Sequence, residues 1–138
     1  MSGNDEIYLS LLFLILIIAV VIKYYPRKFR RQRFVKKWLF IQSLCKTKET
    51  WSEAVLEAEI LLKKAVTLRK FKGKNMGEKL TYGQRSFSDN DSLWRAYKIY
   101  KKVKTNDKVL RESDVKNTLI GFRQALRDLG ALPKDDKK

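Results

Sequence analysis

Residues 7–22 form an uncharged apolar run, with Asp5 and Glu6 before it and Lys23 followed by a series of Lys and Arg after it. As a helix, the nineteen residues 7–25 would reach roughly 28 Å, close to the hydrocarbon thickness of a bilayer. Tyr8 and Ser10 alone interrupt the apolar character of 7–22, and a helix apolar on all sides is not the one-faced helix of a soluble surface. A cleaved secretory signal carries its positive charges before the apolar core and a small-residue site after it. Here the charges lie on the other side, and no A-x-A-like site follows. The pattern predicts a retained transmembrane helix over 7–25, with Tyr24, Tyr25 and the Lys23 ammonium reaching the headgroup layer.

Charge sets the expected orientation. Residues 23–48 hold ten Lys and Arg and no acid, whereas nothing basic precedes the span. The positive-inside rule then places residues 1–6 outside and the C-terminal part in the cytoplasm of an inner (plasma) membrane. The lone Cys45 has no partner for a structural disulfide, as expected of a reducing compartment. Its thiol reads as a small packed hydrophobe, with acylation the alternative. The whole chain carries a formal charge of +16, and from residue 49 onward 21 basic residues face 13 acids, a net +8. A strongly basic part of this kind points to anionic partners.

Pro26 is expected to interrupt the helix just past the membrane, so that residues 26–48 form a separate juxtamembrane helix. Phe34, Val35, Trp38, Leu39, Ile41 and Cys45 make its apolar stripe. Two readings stay open for it. In one, Lys23, Arg27, Lys28, Arg30, Arg31 and Arg33 contact lipid headgroups while the stripe lies in the interface; in the other, the charges fix topology and the stripe packs on the following domain.

Residues 49–132 read as a helical bundle, and the charged tail 133–138 as disordered. Thr50-Trp-Ser-Glu53 fits a capping box that opens a helix with Trp51, Ala54, Val55, Ala58, Leu61, Leu62, Ala65 and Val66 on one face, closed by Gly73. Glu57 and Glu59 read as its solvated flank. Asn75 and Glu78 are spaced to cap a short helix. The glycines at 73 and 77 miss the phosphate-loop spacing, and Glu78 stands where Lys would follow. A linker over 82–90 leads to a helix from Asp91 or Ser92, burying Leu93, Trp94, Ala96, Tyr97, Tyr100 and Val103. Arg95, Lys98, Lys101 and Lys102 crowd its other side; with Tyr97 and Tyr100 at the edge they are candidate contacts to RNA or another anionic surface, the cations for phosphate and the rings for stacked bases. The last helix starts at a Ser113 cap and buries Val115, Leu119, Phe122, Leu126 and Leu129 before Gly130 and Pro133. No segment reads as a strand, so the fold class is all-α: one transmembrane helix plus a small antiparallel bundle.

Four segments together resemble a family: Trp51-Ser-Glu-Ala-Val-Leu-Glu-Ala-Glu-Ile-Leu-Leu62, Met76-Gly-Glu-Lys-Leu80, Leu93-Trp-Arg-Ala-Tyr-Lys98 and Arg123-Gln-Ala-Leu-Arg-Asp-Leu-Gly130. Over residues 34–130 the chain is similar to small single-span membrane proteins of candidate-phyla bacteria, whose cytoplasmic domain resembles HEPN helical domains. The family pattern after the tryptophan, W-x-A-H-K-x-R-N-x-x-A-H, resembles the R-x4-6-H motif of RNA-cleaving HEPN proteins. This chain keeps Trp94, Ala96 and Lys98, but Tyr97 stands for the first histidine, Tyr100 for the arginine, Lys101 for the asparagine and Thr105 for the last histidine. The chain contains no histidine, and neither Thr nor solvated Lys replaces an imidazole as a proton carrier near neutral pH. The expectation is therefore a non-catalytic, membrane-anchored interaction module without cofactor, metal or small-molecule substrate. Its expected partners are the membrane and a protein or a second copy; RNA or anionic lipid is the alternative, on a HEPN-like ribonuclease fold that has lost its activity.

Overall fold

The computed structural model describes residues 3–106 and 109–134, apart from the side chains of 24–30. Within these bounds the chain is helical and contains no strand. The elements are α1 (Gly3–Leu44), α2 (Trp51–Leu68), α3 (Met76–Tyr82), α4 (Asn90–Lys104) and α5 (Glu112–Asp128), with 3-10 turns at Lys48–Thr50 and Gln84–Ser86. Two compact units are formed, Met1–Arg33 and Phe34–Lys138.

In the first unit, Gly3–Lys23 is a helical stretch of 21 residues long and apolar enough to cross a membrane, and none of it is buried in protein. The expected break at Pro26 is absent: α1 runs through it to Leu44. Proline removes one amide donor and crowds one carbonyl, which can weaken or bend a helix without ending it. Consequently 26–48 is not a separate element. The unit boundary lies at 33/34, and everything from Phe34 belongs to the bundle.

The second unit is built on one core. Phe34, Trp38 and Ile41 of α1 are buried in it, with Val35, Leu44 and Cys45 packed at its margin. The stripe thus docks on the bundle, the second of the two readings left open. Leu39 does not belong to it and is 59% exposed, because position 39 lies about 100° around the helix from Trp38. The turn from α1 into α2 is held by side chains. The Trp51 indole donates to the Cys45 carbonyl at 2.9 Å, and the Thr50 hydroxyl donates to the carbonyls of Leu44 and Thr47. These bonds satisfy carbonyls that a helix end leaves without partners. The Thr50 oxygen is engaged there, and the expected capping box does not form.

On α2 the apolar face is as expected, with Ala54, Val55, Ala58, Leu61, Leu62, Ala65 and Val66 buried and Trp51 partly so. The helix stops at Leu68, and the left-handed Lys70 (φ 58) makes the turn, so Gly73 lies in the coil beyond rather than at the cap. Helix α3 has the predicted start: Asn75 accepts from the Glu78 amide at 2.9 Å, and the Glu78 carboxylate accepts from the Lys74 amide at 2.6 Å. The expected linker contains the turn Gln84–Ser86 and the buried Phe87, whose ring meets Phe71 edge-on at 5.9 Å. Asp89, not Asp91 or Ser92, caps α4, accepting from the Ser92 amide at 3.0 Å and its hydroxyl at 2.7 Å.

Helix α5 begins two residues earlier than expected, with Arg111 rather than Ser113 at its cap position and the Arg111 amide donating to Asp114 at 3.1 Å. It ends as expected at the left-handed Gly130 (φ 77), where the Ala131 amide returns to the Leu126 carbonyl at 2.9 Å. Such a reversal favours glycine, which has no Cβ to clash. Packing of α5 on α4 depends on Gly121: a Cβ there would stand 2.7 Å from the Ser92 carbonyl oxygen and 3.0 Å from the Ala96 Cβ. The end of α5 is also tied to the loop before α4, since Asp128 accepts from the Ser88 amide at 2.8 Å and its hydroxyl at 2.9 Å.

Candidate functional site

Periodicity sorts the side chains of α4. Leu93, Ala96, Tyr97, Tyr100 and Val103 are buried, at spacings of three and four that keep them on one face. Trp94, expected among them, is partly buried at the margin and meets Tyr97 edge-on at 5.9 Å. The opposite side carries Arg95, Lys98, Lys101 and Lys102, all exposed. None of these four makes an ion pair within 4.0 Å among the described residues.

The tyrosines are not the edge of that strip. Tyr97 is 8% and Tyr100 9% exposed, and the two rings stack on one another at 5.7 Å. Rings enclosed in this way offer no free face to a base, so the base-stacking role expected for Tyr97 and Tyr100 is corrected. Lys101 alone bridges the two sides, its ammonium lying 4.9 Å from the Tyr97 ring centre. What remains for an anionic surface is the cations, three of which, Lys101, Lys102 and Lys104, fall in the last turn of α4. There they also complement the negative end of the helix dipole.

Under the tyrosines lies a group that the sequence reading missed. Glu59 was read as a solvated flank, yet it is 5% exposed. Burial raises its carboxyl above the ordinary range, against the opposing pull of Lys63, of a hydrogen bond with Tyr100 and of Lys104. Burial likewise pushes the Tyr100 phenol up to about 12, assisted by the Glu59 charge and the Glu59 hydrogen bond. Tyr97 is raised for the same first reason, burial, followed by the Glu59 charge. A phenol held this firmly protonated is a hydrogen-bond donor and not a base. The signal for Glu59 was present in α2: it falls between Val55 and Leu62, four residues after one and three before the other, on the buried row. Glu57, by contrast, is on the flank, paired with Lys37 at 3.0 Å.

At the positions where the ribonuclease motif would place its arginine and last histidine, Tyr100 is buried against Glu59 and Thr105 closes α4. The Thr105 hydroxyl donates to the carbonyls of Lys101 and Lys102 at 3.1 and 3.3 Å. No group of three or more His, Cys, Asp or Glu placed to hold a metal ion occurs among the described residues.

Of the expected headgroup contacts, Lys23, Arg31 and Arg33 are exposed. Arg27, Lys28 and Arg30, with Tyr24 and Tyr25, belong to the stretch whose side chains lie outside the described residues. Comparisons with protein-family models, with curated proteins and with solved structures find no match to this chain.

Proposed function

We propose that this chain is a single-span inner-membrane protein whose cytoplasmic bundle is a non-catalytic interaction module, presenting a basic surface to an anionic face of a protein partner or of a second copy. The observation that carries the reading is the strip Arg95, Lys98, Lys101 and Lys102: four exposed cations on one helix, without ion pairs among the described residues. Like charges gathered on one face repel each other, and an anionic partner relieves that repulsion. Helix Gly3–Lys23 supplies the anchor, and the excess of basic residues behind it supports a cytoplasmic bundle. The absence of histidine from the sequence and the structural roles of Tyr100 and Thr105 support a module without hydrolytic chemistry.

The second reading is RNA or anionic-lipid binding on a HEPN-like fold, and the same unpaired strip favours it. Photo-crosslinking from position 98 of the full-length protein in native membranes separates the two. A crosslinked protein that is lost on Arg95→Glu with Lys102→Glu supports the first reading. A nuclease-sensitive product whose yield falls steeply with salt moves the assignment to RNA. Crosslinks unchanged by the charge reversals would overturn both.

A further inference from the structure

A groove of about 410 Å³ opens in the second unit where the end of α1 and the start of α2 meet α5. Its walls are mainly apolar: Trp38 from α1, Trp51 from α2, and Val115, Leu119 and Ile120 from α5. Ile120 is 42% exposed, so the apolar lining continues to the surface. Lys116 and Arg123 stand on the same α5 wall, two turns apart, and neither makes an ion pair within 4.0 Å among the described residues. Glu112 is the one acid in the lining. Trp38 is 6% exposed and its indole nitrogen is buried, so it gives the groove a ring wall and no polar group.

Apolar walls and two cations without ion pairs together specify a ligand with a hydrocarbon body and an anionic end. We propose that this groove binds a single-chain long-chain carboxylate, its tail against Trp38, Trp51, Leu119 and Ile120 and its head at the cationic rim, on Lys116. The volume lies within the ordinary range of small-ligand sites and takes one acyl chain; a two-chain phospholipid would leave its second chain outside. Binding is non-covalent. The Cys45 thiol that also lines the groove donates to the Ile41 carbonyl at 3.5 Å, and burial raises its pKa, so the thiolate needed for acyl transfer is disfavoured. The site is independent of the α4 strip, and its failure would leave the proposed function standing.

The test uses full-length protein in neutral phosphatidylcholine nanodiscs, a diazirine-tagged oleate as probe, and peptide mapping of the photoproducts. Labelling is expected in peptides containing Trp38 to Trp51 and Val115 to Arg123, competed by untagged oleate. It should fall roughly tenfold with Ile120→Glu, which sets a carboxylate against the tail, and clearly with Lys116→Glu. Arg95→Glu, on the other basic surface, should leave it unchanged. Both groove substitutions are at exposed positions, and tryptophan fluorescence checks that the variants fold. Labelling confined to residues 7–22, equal labelling by the matching tagged oleylamine, or equal competition by phosphatidylglycerol would each overturn the proposal.

Discussion

Replacing Gly121 by alanine sets two effects of opposite sign against each other. Inside an exposed helix, Gly→Ala stabilises by roughly 0.5–1 kcal/mol, because alanine loses less backbone entropy on folding. At position 121 the new Cβ would lie 2.7 Å from the Ser92 carbonyl oxygen and 3.0 Å from the Ala96 Cβ. Carbon–oxygen contacts between helices come no closer than about 3.3 Å, so α4 and α5 must separate by about 0.6 Å or distort. Both close atoms belong to the α4 backbone or to a Cβ fixed to it, and no flexible side chain can swing aside. Overpacking of this kind costs typically 1–3 kcal/mol, which outweighs the propensity gain and leaves a net loss of about 1–2 kcal/mol. For a domain of this size that corresponds to a fall in Tm on the order of 5–10 °C. Gly77→Ala is the matched control: its Cβ would meet nothing closer than the Asn75 Oδ1 at 3.4 Å, so the propensity gain should survive and Tm should stay level or rise. Thermal melts of full-length protein in detergent, followed by tryptophan fluorescence, measure both. A Gly121→Ala protein that melts at or above wild type would refute the close approach of α4 and α5.

Leu61→Ala should cost about 2–5 kcal/mol through the cavity it leaves, and Trp94→Ala less than Leu61→Ala despite its larger side chain, since Trp94 is only partly buried; urea denaturation ranks the two. Glu59→Gln should stabilise the domain at neutral pH. Because the folded carboxyl is raised, its contribution to stability is full below the unfolded value near 4.3 and is lost as pH rises through the folded value. The Tm advantage of Gln should therefore shrink as the pH is lowered through that window, and an advantage independent of pH would sink the argument. Asp128→Ala removes the carboxylate oxygen that accepts both Ser88 bonds and should cost about 1 kcal/mol, with faster amide exchange at Ser88 in hydrogen-exchange experiments. In a double-mutant cycle the half-exposed Lys37–Glu57 pair should yield well under 1 kcal/mol.

What was legible in the sequence follows from the strength of each local signal. The apolar span, the faces of α2 and α5 and the Asn75 cap depend on periodicity or on a short-range hydrogen bond, and each was read correctly. The caps of α2, α4 and α5 were misread because several residues in succession can cap: Asp89, Asp91 and Ser92 compete at one end, and Thr50 was claimed by the carbonyls of α1. Pro26 was given too much weight, since one lost amide does not end a long apolar helix. Tyr97 and Tyr100 satisfied both a buried and a recognition reading, and tertiary packing decided for the first. Glu59 was misread through its charge, although its place in the row was plain. The groove was not legible at all, because it forms where the junction of α1 and α2 meets α5, far along the sequence.

The sharing of α1 between the two units has a consequence for how the molecule is made. Phe34, Trp38 and Ile41 are synthesised before the rest of the core, yet they share one buried cluster with side chains of α5, the last helix of the described chain. Contacts this distant in sequence form late. The first wall of the core must therefore wait until the ribosome has delivered the last one. Cutting the protein after Lys48 would remove Phe34, Trp38 and Ile41 from the core and Trp38 from the groove wall. Only a cut at the unit boundary, before Phe34, keeps these core residues with the rest of the bundle.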